Sequence, residues 1–246
     1  MKEKIREYIK SLGADDVGFA AVSDYDSPNT PKIESFFPKA KSIIVIAYKE
    51  LSTCESPDPI LAMNGRLDKD EVMRSNAYKI GHYLEGKFNA KIVSIPVSLP
   101  RGGTSAVSLR HAAFAAGLGN FGRHNLIIHP KFGTRVTFNA VVTDIELESD
   151  EKITKDLCIH CNICVNNCPA KALDEEGKTQ VLKCMHVSQP FSFISQLSFL
   201  DKYIEASPEE RKAMIGDYWP LYQANSFGTQ YYCFNCLKSC PVCQNN

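Results

Sequence analysis

The sequence predicts a mixed helix-and-strand domain, α/β or α+β, followed by a small cysteine-rich module. Three observations carry that prediction. Helical and strand-like periods alternate through the chain ahead of residue 146. Nine of the ten cysteines then fall between Cys158 and Cys243, leaving only Cys54 upstream. Where the composition changes, residues 146–152 are acidic and polar and read as a linker. The boundaries that follow are 1–148 for the front domain and 149–246 for the module.

The elements can be justified in chain order. Ile5, Tyr8, Ile9 and Leu12 recur at helical spacing, and Gly13 stands where a helix would end. Residues 17–22 and 43–48 read as strands, the second apolar on both faces and therefore central. Met73, Ala77, Ile80, Leu84 and Phe88 mark a second helix, and residues 91–97 a third strand. Residues 105–116 predict a helix stopped by Gly117. Residues 125–129 and 135–143 then resemble two strands joined by a turn containing Pro130 and Gly133. Within the module, residues 191–223 are aromatic-rich and roughly helical, broken by Pro208 and Pro220, and are expected to pack over it as an insertion.

Composition excludes several classes. With 44% hydrophobic and 23% charged residues in 246 positions, the chain can bury a core and is neither disordered nor fibrous. Twenty-eight basic residues balance twenty-eight acidic ones, so no basic excess is available for nucleic acid. The first residues carry mixed charge without an apolar stretch, and the run 43–47 is far too short for a membrane span. A cytoplasmic protein with no membrane association is expected. In a reducing compartment ten cysteines point to metal rather than disulfides.

Cys158, Cys161, Cys164 and Cys168, followed by Pro169, form an uninterrupted C-x-x-C-x-x-C-x-x-x-C-P run, the spacing of bacterial two-cluster ferredoxins. Three thiolates from one tight turn cap three irons of a [4Fe–4S] cubane, while the next cysteine serves the other cluster. Cys233, Cys236 and Cys240, followed by Pro241, repeat the last three cysteines of the pattern and lack the first. Crossed ligation then assigns one cluster to Cys158, Cys161, Cys164 and Cys240, and the other to Cys168, Cys184, Cys233 and Cys236. Cys184 supplies the missing position, with Cys243 as the alternative. Zinc also uses C-x-x-C pairs but has no use for the third step of the run.

Upstream, Gly117, Gly119 and Gly122 form G-x-G-x-x-G after a helix, the wrong context for a dinucleotide fingerprint. Taken alone it is a glycine-rich turn between packed elements. Together with the Arg110-His111-Ala112-Ala113 lead-in, the following strand, the Gly133-Thr134 turn and the cysteine module, it resembles the epoxyqueuosine reductase family, a relative of the corrinoid-dependent reductive dehalogenases. The resemblance runs over most of the chain and is strongest in the small double-cluster branch of that group.

The resemblance implies an α+β front domain of the nitroreductase-derived, B12-processing type, an α/β sandwich holding cobalamin above the clusters. It implies a corrinoid-dependent reductase acting on a small molecule and fed by a low-potential donor such as a ferredoxin or flavodoxin. Close approach of a flat macrocycle would then explain Gly117, Gly119, Gly122 and Gly133, with Leu118 and Asn125 as neighbours. An ungapped count from the glycines puts Gly103 where the family carries its proton-donating acid, so epoxyqueuosine itself is not the expected substrate. Replacement proton donors or polar contacts near the motif are Arg110, His111, His124 and Tyr78. Two alternatives stand beside this reading: an electron-transfer or activating protein for a corrinoid or redox partner, and a flavin-dependent reductase.

Overall fold

A computed structural model describes residues 1–96, 105–228 and 231–243 of the chain. Residues 97–104, including Gly103 and the end of the strand expected at 91–97, lie outside the described residues.

The front domain is built on β1 (Asp16–Ala21), β2 (Ser42–Lys49), β3 (Ile92–Ile95) and β6 (Val136–Thr143), which form an antiparallel sheet in the order β1-β2-β6-β3. β2 and β6 pair along their whole lengths, from Ser42 opposite Thr143 to Lys49 opposite Val136. Both lie inside the sheet with both faces covered, which is why they carry apolar residues at consecutive positions. Antiparallel pairing throughout places the domain in the α+β class.

One face is covered by α1 (Lys2–Ser11) and α2 (Pro59–Phe88), whose Ile5, Ile9, Met73, Ile80 and Leu84 pack on Phe19, Ile44 and Ile46. The other receives α3 (Leu109–Ala115) and the segments after it, with Ala112, Ala113 and Leu118 against Ile43, Val45 and Ala140. Each fully buried Ile or Phe contributes about 1.5–3 kcal/mol of transfer free energy. At the edge, His129 Nδ1 accepts from Lys131 N–H at 3.1 Å, so its proton sits on Nε2, 3.3 Å from Asp16 Oδ2.

That edge contact has a pH signature. Burial acts to raise the Asp16 pKa, but the nearby His129 imidazole, the Val17 N–H and the Lys10 charge outweigh it and lower the value from 3.8 to about 2. A depressed folded-state pKa means stabilisation present above 3.8 and lost as the pH falls through about 2. The difference in urea midpoint between the wild type and Asp16→Asn is therefore expected to shrink over that window. A difference independent of pH would show that the carboxylate is not stabilised in the fold.

Four expectations are revised. First, α2 extends a long way upstream of Met73 to Pro59, capped by Asp58, whose carboxylate accepts the Ile60 N–H at 2.8 Å. The upstream half breaks the apolar rhythm because Arg66 occupies a buried position, paired with Glu50 at 2.7 Å. Second, α3 starts only at Leu109, since Ser108 is extended and its N–H donates to Tyr25 Oη at 2.8 Å. Third, residues 125–129 and 135–143 are not strands of one hairpin. β5 (Ile127–Ile128) pairs instead with β4 (Asn120–Phe121), and the His129–Gly133 bridge turns the chain into β6 of the main sheet.

Fourth, the stretch 146–152 is packed rather than a free linker. Leu147 is buried, Asp150 accepts from Phe19 N–H at 2.9 Å and pairs with Arg6 and Lys2, and Ser149 Oγ accepts from Ala21 N–H at 2.8 Å. Polar residues were needed there because the exposed edge of β1 offers backbone donors to satisfy.

In the module, α4 (Ile163–Asn166) and α9 (Asn235–Lys238) pack together beside α5 (Val181–Ser188). The aromatic insertion forms α6 (Phe193–Glu205), α7 (Pro208–Ala213) and α8 (Ile215–Phe227). Pro208 opens α7 as expected, but Pro220 lies inside α8 without ending it. The carbonyl it frees, four residues back, belongs to Gly216, whose missing side chain would point into open space. The insertion meets the module at Pro169, Ala170 and Leu221, while Phe193, Ile204 and Trp219 stay exposed. Among the described residues no helix is long and apolar enough to cross a membrane.

Candidate metal centre

The loop that carries the first cysteines is shaped by local chemistry. Cys158 N–H donates to Asp156 Oδ1 at 2.8 Å, and His160 and Asn162 adopt left-handed backbone with φ of 49° and 57°. These reversals curl the loop so that Cys158, Cys161 and Cys164 share one side, after which α4 carries Cys168 away. At the far end of the chain, α9 brings Cys236 and Cys240 back, with Asn235 Nδ2 donating to Asn167 O at 3.3 Å.

The thiols gather in two foursomes. Cys158, Cys161, Cys164 and Cys240 line one small cavity. Burial raises the Cys164 pKa first, and the sulfurs of Cys240, Cys158 and Cys161 raise it further. In the second set, burial and then the neighbouring Cys184, Cys233 and Cys168 push the Cys236 thiol up to about 12. Thiols crowded in this way repel one another once ionised, so the donor set is one that cationic iron would stabilise. Among the described residues no three His, Cys, Asp or Glu side chains gather as a single metal ion would require; the foursomes are neighbours on a wider scale. Cys243 belongs to neither set, since its Sγ faces Pro130 O at 3.2 Å, and Cys54 is buried in the front domain.

A seam of specific contacts docks this module on the front domain. The Arg135 guanidinium, buried, donates to Cys240 O at 2.7 Å and Lys238 O at 2.8 Å while pairing with Glu55 at 2.6 Å. Thr134 Oγ1 donates to Leu237 O at 2.8 Å, Lys238 Nζ reaches Ser56 O, and the Arg66 guanidinium lies 3.7 Å over the Phe234 ring. Sequence reasoning passed over Arg135 and Arg66. The available signal for Arg135 was its place directly after the Gly133-Thr134 turn, and for Arg66 a lone cation at a core-facing helical position.

Two of the motif glycines, Gly117 and Gly133, face residues of the later segment, and all four are closely packed. A side chain at Gly133 (φ 59°) would put its Cβ 2.1 Å from Val242 O, and one at Gly117 (φ 69°) would meet Glu151 O at 2.3 Å. Gly119 and Gly122 are likewise filled, by Ile128 O and by the His124 ring. These glycines permit close approach, but what approaches is the chain itself, and no macrocycle can enter along those directions. Leu118 is core, and Asn125 Nδ2 donates to Thr179 Oγ1 at 3.3 Å.

The four polar candidates do not form one site. Tyr78 is 76% exposed on α2, across the sheet from the others, and stacks on His82. Arg110 donates to Asn125 O, and burial lowers its pKa. His111 Nδ1 lies 2.8 Å from Ser108 Oγ, with its pKa lowered by burial and then by Arg110. Only His124 reaches the thiols: it lines the first cavity, and burial lowers its pKa to about 4. A separate groove of about 1140 Å³ runs between the module and the insertion, lined in part by Pro169, Met185, Phe191, Phe199 and Leu221.

Comparison with known proteins agrees with the cysteine chemistry. Residues 151–174 match the 4Fe-4S binding domain family. The epoxyqueuosine reductase of Bacillus subtilis is 26% identical over 98% of this chain, which spans 63% of that protein's length. A tetrachloroethene reductive dehalogenase of Desulfitobacterium hafniense is 30% identical over 67% of this chain and 29% of its own. The fold matches a crystal structure of selenomethionine-labelled epoxyqueuosine reductase with a TM-score of 0.65, at 23% identity over 99% of this chain and 66% of the other. Epoxyqueuosine reductases are thus homologues of this chain across nearly its whole length, and reductive dehalogenases are relatives over part of it.

Proposed function

We propose that this chain is an iron–sulfur oxidoreductase holding two [4Fe–4S] clusters. Cys158, Cys161, Cys164 and Cys240 would hold one, and Cys168, Cys184, Cys233 and Cys236 the other. The observation that carries the reading is the gathering of Cys240 with three thiols nearly eighty positions away, beside the second foursome. When bound, such clusters supply one-electron transfer. The chain contributes curled loops that aim the thiols, a buried Arg135 that holds the Cys240 turn, and an exposed Cys161 that leaves the first site open to a low-potential donor such as a ferredoxin or flavodoxin.

The electron acceptor in this proposal is cobalamin, which the homology to reductive dehalogenases supports, serving the reduction of a small molecule. At Gly117, Gly119, Gly122 and Gly133, the residues expected to cradle it, the side-chain directions are taken up by the chain itself. The groove lined by Pro169 and Met185, the sequence neighbours of Cys168 and Cys184, is a second place where such a group could be tested.

Anaerobically purified protein should contain about eight irons and eight acid-labile sulfides per chain. Zinc in their place would end the redox reading. Added cob(II)alamin should lose the nitrogen superhyperfine structure of its spin-resonance spectrum on binding. Copurifying flavin with no effect on cobalamin would remove the corrinoid and leave the clusters standing.

A further inference from the structure

The buried His124 ring has one nitrogen accounted for and one spare. Nδ1 accepts the Leu126 N–H at 3.1 Å, so the neutral ring carries its proton on Nε2. His124 is 3% exposed, and its Nε2 has no hydrogen-bond partner among the described residues. A buried N–H without an acceptor costs about 1–3 kcal/mol, so an orphan of this kind calls for an occupant beside it.

The surroundings say which. His124 lines the cavity closed by Cys158, Cys161, Cys164 and Cys240. The preceding residue already addresses the same group, since Arg123 N–H donates to Cys158 Sγ at 3.4 Å. Gly122 allows the ring to sit there: a Cβ at that position would fall 2.7 Å from His124 Cε1 and 3.0 Å from Nε2.

We infer that His124 is a positioning residue whose Nε2–H donates to a sulfur of the cluster held by Cys158, Cys161, Cys164 and Cys240. The inference rests on the two-cluster reading above and adds a regulation of that site. Hydrogen bonds to cluster sulfur stabilise the extra negative charge of the reduced state and so raise the reduction potential. His124 therefore makes the first cluster easier to reduce than its thiolates alone would, without touching the second.

The test is a mediated redox titration of the full chain, followed by electron spin resonance, with iron content measured on each sample. His124→Leu is expected to lower the midpoint potential of one cluster and leave the other in place. His124→Gln, which keeps an N–H, is expected to recover much of the difference. An unchanged potential in a His124→Leu protein with both clusters loaded would overturn the assignment. If His124→Leu fails to load, wild-type protein labelled with ¹⁵N-histidine decides by pulsed spin resonance of the reduced state. A weak nitrogen coupling that disappears in His124→Gln supports the bond, and its absence from the wild type refutes it. A wild-type chain without iron at the first site would instead sink the cluster reading itself.

Discussion

Cys240→Ala is expected to halve the iron content, from about eight to about four per chain, and to abolish one of two cluster signals. The expectation comes from tertiary placement. Cys240 lines the cavity of Cys158, Cys161 and Cys164 although its sequence neighbours Cys233 and Cys236 belong to the other foursome. The surviving signal should be that of the second site. Loss confined to the second site would mean that ligation runs along the chain and is not crossed. Cys243→Ala serves as the control and should keep all eight irons, because its Sγ faces Pro130 O and stands apart from both groups. If Cys243→Ala loses iron and Cys184→Ala does not, the eighth ligand has been misassigned.

Arg135→Ala is expected to cost about 3 kcal/mol of stability, because hydrogen bonds to a charged donor contribute about 1.5–3 kcal/mol each and their loss strands buried carbonyls. The guanidinium joins the first strand residue's approach, at the end of the Gly133 turn, to Cys240 O and Lys238 O. Those carbonyls frame the turn that presents Cys240. A lower denaturation midpoint should therefore accompany faster loss of iron from the first site to a chelator, with the second site less affected. Lysine at 135 can reach only one point of the fork and should recover part of the effect. An unchanged midpoint together with unchanged iron release would show that the module docks through other contacts.

Much of the architecture was readable because it follows from short-range patterns. The α1 spacing of Ile5, Ile9 and Leu12 and the double-sided apolar run of β2 are consequences of which faces each element buries, and both appear as expected. The first half of α2 was hidden because a buried Arg66–Glu50 pair looks polar in sequence, although it occupies the interior. The linker expectation failed for a related reason: Ser149 and Asp150 are polar because they satisfy backbone donors of β1, which resembles solvent exposure when only composition is visible. Tyr78 seemed near the other candidates because sequence has no sheet between its positions.

The sequence alone pointed to the donor chemistry: seven cysteines at ferredoxin spacing, a crossed pairing implied by that spacing, and an alternating front domain. Tertiary structure alone decided what meets what. It put Cys184 rather than Cys243 beside Cys168, turned the glycines inward against Val242 and Glu151, and left His124 as the one candidate facing the thiols. The division has a physical cause. Spacing along a loop limits which thiols can share a cluster, whereas the direction a glycine or a histidine faces depends on backbone brought from far along the chain.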